Sequence, residues 1–437
     1  MNIFIKDFAN NIGKTVTIRG WAYNARSSGK IVFIQVRDGS GFTQAIVELK
    51  TLETAHGENA QKIWETASSI TIESSVALTG TVAQHPKHPD EYELHVTDVS
   101  VYQISPEYPI GKKEHGPDFL LDNRHLWIRS QRQWAILRIR AAIHHAITSW
   151  LEEQGFTRFD SPIFTPSACE GTTTLFDVDY FDLGKAYLSQ SGQLYLEAGI
   201  ASLGRVYDFG PVFRSEKSKT RRHLTEFWMM DAEAAFVEHE ENIRIQEGLV
   251  CHIVEHVLNN YAKELAVLER DIEPLKKVTA PFVRMTHKEA AKKVVELGGK
   301  DMTDDDLGGD DETLLTKAYD KPIFVEKYPA HVKAFYMKRD PQDPTRVLCD
   351  DLLAPEGYGE IFGGSQREEN IDELKKRIAE HGLREEDFQW YLDTRRFGSV
   401  PHSGFGLGLE RLVAWICGLP HVRETIPFPR LMRRNSP

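Results

Sequence analysis

The sequence predicts an α+β protein in two parts, a small N-terminal β-barrel and a larger domain whose strands and helices alternate irregularly. Three observations support this. Five strand-like stretches, with one helical stretch after the third, fill residues 14–103. A segment with three prolines and two glycines, 104–125, separates them from the rest and reads as a hinge linker. Residues 126–437 then combine long helical periodicities with strands that lack the rhythm of a doubly wound sheet. At 437 residues the chain is also too long for one ordinary core.

The barrel strands alternate apolar and polar residues: TVTIRGWAY, KIVFIQVRD and FTQAIVEL, then SSVALTGTVAQ and YELHVTDVSVYQI. Between the two groups, TAHGENAQKIWETASS has helical composition. This is the order of an OB-fold, a common module for single-stranded nucleic acid. The chain is acidic, with a formal net charge of −12. Yet Lys14, Arg19, Arg26, Lys30 and Arg37 occur with no acid between Lys14 and Arg37. Local charge, not net charge, makes a phosphate footprint.

After the linker, Ile136, Ile139, Ile143, Ile147 and Leu151 mark one face of a long helix that stops at Gly155. FTRFDSPIFTP continues as a strand interrupted by Pro162, and Asn242–Arg270 reads as a second long helix. GGKDMTDDDLGGDDE reads as a solvated acidic loop. The four cysteines lie far apart without a C-x-x-C pair, which argues against a zinc ribbon or a disulfide scaffold and fits a reducing cytoplasm. No apolar run is long enough to span a bilayer, and MNIFIKDFANNIGK lacks a signal-peptide core. CHIVEH has Ile253 where H-E-x-x-H needs glutamate, and QHPKHPD is a proline-fixed turn, so neither reads as a metal site.

Four stretches carry chemistry. In FRSEKSKTRRHLTEF and the following EFWMMDAEAAF, Arg214 and Glu216 share one face of their strand, and Phe227, Met229, Asp231 and Glu233 share one face of theirs. This gives a hairpin whose inner face offers a cation, acids and an aromatic ring. A flexible basic loop joins the two strands. The set suits a nucleotide, with arginine for phosphate and a ring for base stacking; a salt-bridged surface hairpin is the plainer alternative. GFGLGLER places three glycines at alternate strand positions, leaving a bare face for a flat ligand, and then opens a helix with Glu410 and Arg411. In DDLLAPEGYGEIFGGSQRE, Asp351 and Glu360 have the oxygen donors to share one Mg²⁺ with phosphates. LSQSGQLY clusters Ser189, Gln190, Ser191 and Gln193 around a glycine, which suits a small polar ligand or a helix cap at Ser191.

Taken in order, the helix leading to Pro162, FRSE…RRHLTEF and GFGLGLER resemble the three signature motifs of class II aminoacyl-tRNA synthetases, in the aspartyl/asparaginyl/lysyl subgroup. The resemblance covers essentially the whole chain. It is nearest the asparagine branch through PSACEGTTTLF, LSQSGQLY, TRRHLTEFWM, YPAHVKAFYM, APEGYGEIFGGSQRE and VPHSGFGLGLERLV. It implies an OB-fold anticodon-binding domain at 1–103, the linker at 104–125, and a class II catalytic domain at 126–437 with an antiparallel sheet flanked by helices. It further implies a cytoplasmic homodimer that uses ATP and Mg²⁺ to ligate L-asparagine to tRNA(Asn) through an adenylate.

Residue roles follow from the same resemblance. Arg214 would contact the α-phosphate and the amino acid's carboxylate. Glu216, Arg222, His223 and Leu224 would surround ATP, with Phe227 stacked on adenine. Arg411 would hold the γ-phosphate beside Gly408, and Asp351 and Glu360 would hold Mg²⁺. Arg214, Arg411 and Glu360 are thus the expected catalytic set. Glu170, Gln193 and Asp231, with Ser191 nearby, would surround the substrate's amino group, and Arg367 would reach its side chain. In the barrel, Phe33 would stack on an anticodon base between Arg26 and Gln44. Aspartyl relatives carry lysine where Leu196 stands, so a side-chain carboxylate has no countercharge from that position. Glu226 is the expected acceptor for the amide NH₂. Serine is common in those relatives where Gly363 sits. A non-catalytic RNA-binding paralogue, an aspartyl enzyme and a free asparagine synthetase are the competing readings.

Overall fold

The computed structural model describes residues 1–111, 113–166, 169 and 174–437. The chain divides into two compact units, Met1–Leu120 and Leu121–Pro437.

In the first unit, β1 (Thr15–Ser28), β2 (Ile31–Arg37) and β3 (Phe42–Glu48) are followed by helices α1 (Leu49–His56) and α2 (Ala60–Ser68), then β4 (Ser75–Gln84) and β5 (Tyr92–Gln103). The strands close into a barrel in the order β1-β2-β3-β5-β4. Alternation drives closure: Val16, Ile18, Val32, Ile34, Val36, Ala45, Val47, Leu78, Leu94 and Val96 all point inward and are fully buried. The predicted helical stretch is two helices, split by Gly57, whose φ of +55° leaves the right-handed helix. Arg37 leaves the expected phosphate footprint. Both its Nη atoms donate to the Glu73 carboxylate at 2.6 Å, and both side chains are buried.

Pro117 opens α3 (Pro117–Asp122), where its missing N–H costs nothing, so the C-terminal part of the predicted linker is helical. The second unit continues with α4 (Arg124–Trp127) and α5 (Gln131–Glu153), the predicted isoleucine helix. Ser130 caps α5 by accepting from the Gln133 N–H. Pro162 does break the following strand. Its halves, β6 (Thr157–Arg158) and β7 (Phe164–Thr165), join different sheets. Then come β8 (Asp177–Asp179), β9 (Lys185–Leu188), α6 (Gln193–Leu203), β10 (Arg205–Phe213) and β11 (Glu226–Ala235).

The second long helix starts three residues earlier than predicted and is broken at Tyr261 into α7 (His239–Asn260) and α8 (Ala262–Val267). Asn260 turns its side-chain amide back to the His256 carbonyl, which competes with helix continuation. The chain proceeds through α9 (Glu273–Lys276), β12 (Val283–Thr286), α10 (His287–Glu296), α11 (Gly309–Lys317), β13 (Ile323–Glu326), β14 (Cys349–Ala354) and β15 (Gly359–Gln366). It ends with α12 (Ile371–Glu380), α13 (Gln389–Arg396), β16 (His402–Gly408) and α14 (Leu409–Cys417). The acidic segment is therefore only partly a loop, because its last four residues begin α11.

The main sheet has eight strands in the order β12-β13-β14-β15-β16-β11-β10-β6. It is antiparallel through its centre and parallel only at its two edges, β12 with β13 and β10 with β6. β7, β9 and β8 form a small separate sheet. Helices α5, α7 and α14 pack their apolar faces on the main sheet, joining Ile139, Ile143, Ile253 and Trp415 to Phe362, Phe405 and Leu407 in one core. Glu410, at the start of α14, is held by Arg140 of α5 at 2.8 Å and by the Trp228 N–H of β11 at 3.1 Å, which fixes α14 against the sheet. Among the described residues, no helix is long and apolar enough to cross a membrane.

Candidate functional site

A cavity of about 680 Å³ opens over the centre of the main sheet. Its wall includes Ser191, Gln193, Arg214, Glu216, Arg222, His223, Leu224, Phe227, Asp231, Asp351, Glu360, Arg367, Gly408 and Arg411. These come from segments spread between Ser191 and Arg411, and the sheet brings them together.

The floor is set by the register of β11 against β16. Met229 lies opposite Gly408, Asp231 opposite Gly406, and Glu233 opposite Gly404. Cross-strand partners share a face, so each glycine makes room for one β11 side chain. A Cβ at Gly406 would lie 2.6 Å from Asp231 Oδ1, and one at Gly404 would overlap the Glu233 carboxylate and the Ala232 carbonyl. The glycine strip is thus not the bare ligand face expected along its whole length. Only Gly408, 4.0 Å from the Phe227 ring, keeps open space beside a ring.

At one end, Arg214 follows β10 directly, and its N–H extends the ladder to the Thr225 carbonyl at 3.0 Å. Its guanidinium donates to the Gln190 carbonyl and lies 5.4 Å from the centre of the Phe227 ring. Asp231 is gripped by the Ser191 hydroxyl at 2.7 Å and the Gly192 N–H at 2.8 Å, both on the same oxygen. Behind it, burial and then the charge of Asp231 push the Asp208 carboxyl up to about 8. Asp208 is thereby biased towards its protonated form behind the cavity-facing Asp231. Ser191 also accepts from the Gln193 N–H at 3.1 Å, but the N-cap of α6 is Gly192, so Ser191 is cavity wall and not the helix cap.

Gln193 donates its amide NH₂ to Glu197 at 3.0 Å, one turn further along α6, which leaves its carbonyl oxygen as the acceptor for a ligand. Glu197 is wholly buried and also accepts from Tyr391 at 2.8 Å, lies 3.0 Å from His402 Nε2, and pairs with Arg395. Burial opposes its ionisation, but Arg395 and His402 overcome that and keep it well below the ordinary carboxylate range. Arg367 is buried against Glu233, donating through Nε at 3.0 Å and through Nη2, and its Nη1 donates to Ser365 at 2.5 Å.

At the other end, three ion pairs line the wall. Glu360 pairs with Arg411 at 2.9 Å, Asp351 with Lys333 at 2.8 Å, and Glu312 with Arg222 at 2.9 Å. Arg222 also donates to the Gly309 carbonyl at 3.1 Å and to Thr313 and the Gly357 carbonyl at 2.5 Å. The basic loop is therefore anchored at Arg222 and is not the flexible cap expected. Asp351 and Glu360 converge over Gly363: their oxygens lie 3.7 and 3.5 Å from where its Cβ would stand. Two hard carboxylates around one open point fit a magnesium ion that takes its other ligands from phosphate and water. No third His, Cys, Asp or Glu joins them among the described residues.

Two expected residues do not reach the cavity. Glu226 starts β11 and bridges to Arg430; strand alternation that sends Phe227 and Asp231 to the cavity sends Glu226 to the opposite face. Leu196 is fully buried with Ile200 and Val206 in a small apolar cluster, away from the cavity wall. Glu170 lies outside the described residues. The sequence reading missed Glu197, Asp208, Glu312 and Lys333. Glu197 was signalled by its i+4 spacing from Gln193; the other three depend on long-range packing.

In the barrel, Arg26 faces Phe33 across β1 and β2, with its guanidinium 5.0 Å from the ring centre. Gln44 faces Gln35, two residues along from Phe33. Arg26, Phe33 and Gln44 thus share the outer face of the barrel. Phe42 lies on that face too, two residues before Gln44, with Tyr23 edge-on to it at 5.2 Å.

Residues 116–432 match the model of the family tRNA synthetases class II (D, K and N), and residues 16–102 match that of the OB-fold nucleic acid binding domain. The chain is 54% identical to an asparagine–tRNA ligase of Pelotomaculum thermopropionicum, covering 100% of this chain and 99% of the relative. It is 51% identical to an asparagine–tRNA ligase of Thermus thermophilus, covering 100% of both. The fold matches the crystal structure of asparaginyl-tRNA synthetase from Pyrococcus horikoshii complexed with asparaginyl-adenylate. The TM-score is 0.94 and the identity 43% over 100% of each chain.

Proposed function

The chain belongs to the class II tRNA synthetases of the D, K and N group, and from that premise we propose that it ligates L-asparagine to tRNA(Asn) at the expense of ATP. The observation that carries this is the convergence, in one cavity, of the Arg214–Phe227 pair, the Gly192-bound Asp231 and the Glu360–Arg411 pair.

Adenine stacks on Phe227 beside Gly408, with Glu216, His223 and Leu224 around it. The substrate's ammonium is taken by Asp231 and by the Gln193 carbonyl oxygen, with Ser191 holding Asp231 in place. Its carboxylate is already ionised at neutral pH, so no general base is needed, and Arg214 aligns it with the α-phosphorus. The carboxylate oxygen bonds to that phosphorus as the bond to the bridging oxygen breaks, and pyrophosphate leaves under the charges of Arg411 and Arg222. Asp351 and Glu360 are the residues that would hold Mg²⁺, which when bound neutralises charge on the phosphates. The terminal ribose hydroxyl of the tRNA then attacks the activated carbonyl, and AMP leaves.

Asparagine is favoured over aspartate by the Arg367–Glu233 pair. Arg367 lines the cavity and offers a donor for the amide oxygen, while Glu233, buried behind it, already accepts from its guanidinium. A second carboxylate would find that guanidinium already paired with Glu233 and would face Asp231 without a spare cation. Residues 1–103 act as the anticodon-binding domain through Arg26, Phe33 and Gln44, 104–125 as the hinge, and 126–437 as the catalytic domain. All four thiols are unbridged, as a reducing cytoplasm requires. The enzyme works there as a homodimer with its first motif in the interface. The test is charging: incubation with ATP, Mg²⁺, labelled asparagine and total tRNA should give acid-precipitable asparagine that depends on ATP, on Mg²⁺ and on tRNA. No incorporation would refute the proposal.

A further inference from the structure

Lys333 lies on the cavity wall, and the reaction described above does not use it. It stands in the loop between β13 and β14, and the backbone there is pinned. Arg377 Nη2 donates to the carbonyls of Ala330 at 2.9 Å, Ala334 at 3.2 Å and Lys333 itself at 3.3 Å, and His381 Nε2 lies 3.1 Å from the last. With the backbone fixed, the ammonium is aimed at one place. Its Nζ is 2.8 Å from Asp351 Oδ2, 3.4 Å from Asp306 Oδ1, and 3.8 Å from the centre of the Tyr328 ring. Only 13% of the Lys333 side chain is exposed, so water screens these contacts weakly.

An ammonium therefore occupies one oxygen of the acid that, with Glu360, points at the open space over Gly363. Glu360 is likewise engaged, by Arg411. A divalent cation entering this site without ATP would be brought within a few ångström of two positive charges. ATP changes that balance, because its phosphate oxygens offer both cations new acceptors. Lys333 need not be left bare when it releases Asp351, since Asp306 and the Tyr328 ring already flank it on other sides.

We propose that Lys333 is a resident counter-ion that keeps the Asp351–Glu360 pair closed to divalent cations until ATP draws its ammonium away, so that metal and nucleotide bind cooperatively. This rests on the reading of Asp351 and Glu360 as metal ligands. The coupling is reciprocal: whatever factor ATP adds to metal affinity, metal adds to ATP affinity. Lys333 acts as a positioning residue on the metal site, and Asp306 gives the acidic segment a place in the same device.

The experiment is Mn²⁺ binding to the full-length protein, read as loss of the free-ion signal in electron paramagnetic resonance, with and without a non-hydrolysable ATP analogue. Wild type should bind Mn²⁺ weakly alone and at least about tenfold more tightly with the analogue. Lys333→Met should raise nucleotide-free Mn²⁺ affinity about tenfold and shrink the effect of the analogue, whereas Lys333→Arg should behave as wild type. If Lys333→Met does not give a native circular dichroism spectrum, Lys333→Gln carries the same expectation. Unchanged nucleotide-free affinity in the neutral variant overturns the proposal, and so does tight nucleotide-free binding by wild type. Asp351→Asn separates the two readings. If it leaves analogue-dependent Mn²⁺ binding intact, the metal-ligand assignment fails and this proposal with it. If it abolishes that binding while Lys333→Met leaves the coupling unchanged, only the role of Lys333 fails.

Discussion

Arg222 in the basic loop and Glu312 in α11 form a 2.9 Å ion pair between residues ninety positions apart, joining the cationic loop and the acidic segment beside the cavity. The Glu360 N–H donates to the same carboxylate at 3.1 Å. The excess of cations in an otherwise acidic protein is therefore balanced locally, by an acid that arrives through folding.

Burial, and then the nearby charge of Glu360, raise the Glu312 carboxyl to about 7. An acid whose folded pKa lies above its unfolded value of about 4.5 favours the folded state when protonated. That advantage is lost as pH rises through about 7, and at roughly 1.4 kcal/mol per unit it amounts to at most about 3 kcal/mol. Thermal stability of wild type should thus fall between pH 5 and 7 more than that of Glu312→Gln. Parallel pH profiles for the two proteins would contradict this.

Asp231 faces the cavity, and Asp208, whose carboxyl burial pushes up to about 8, stands behind it. Asp231→Asn removes the anion facing the substrate's ammonium, a contact of about 1.5–3 kcal/mol, so KM for asparagine should rise roughly 10- to 100-fold. Asp208→Asn replaces a carboxyl that is mostly protonated at neutral pH and should change KM by less than about threefold. Steady-state pyrophosphate exchange at saturating ATP measures both. Equal losses would mean that the charge is not localised as described.

The alternate glycines of β16 should not be equivalent. Gly404→Ala forces a methyl group into the Glu233 carboxylate and the Ala232 carbonyl, and should destabilise the catalytic unit by about 1–3 kcal/mol or more. Gly408→Ala meets nothing closer than 4.0 Å and should leave thermal stability nearly unchanged. Differential scanning calorimetry of the two variants separates them.

Much of this was legible before any coordinates. Isoleucine spacing marked α5, Pro162 marked the break between β6 and β7, and strand alternation put Phe227 and Asp231 on one face. The same alternation excluded Glu226, since it is one residue from Phe227, and that inference was available from the sequence. The break at Tyr261 was harder, because Asn259, Asn260 and Tyr261 weaken a helix only modestly and local side-chain competition decided the outcome. Glu312, Asp208 and Lys333 were illegible for a different reason. Each gains its role from a partner far along the chain, and nothing in the local pattern of an acidic stretch separates a buried acid from a solvated one.

On the barrel, Phe33→Ala removes a stacking surface of about 1–3 kcal/mol. It should weaken charging at limiting tRNA by about 5- to 100-fold while asparagine-dependent pyrophosphate exchange stays normal. Normal charging by this variant would remove Phe33 from the anticodon contact.

The central claim is that the cavity activates a neutral amide in preference to a carboxylate. The most direct measurement is ATP–pyrophosphate exchange by the purified protein with asparagine and with aspartate, in the absence of tRNA. The account predicts exchange with asparagine and at least about a hundredfold less with aspartate. Equal exchange with the two, or exchange with aspartate alone, would contradict it.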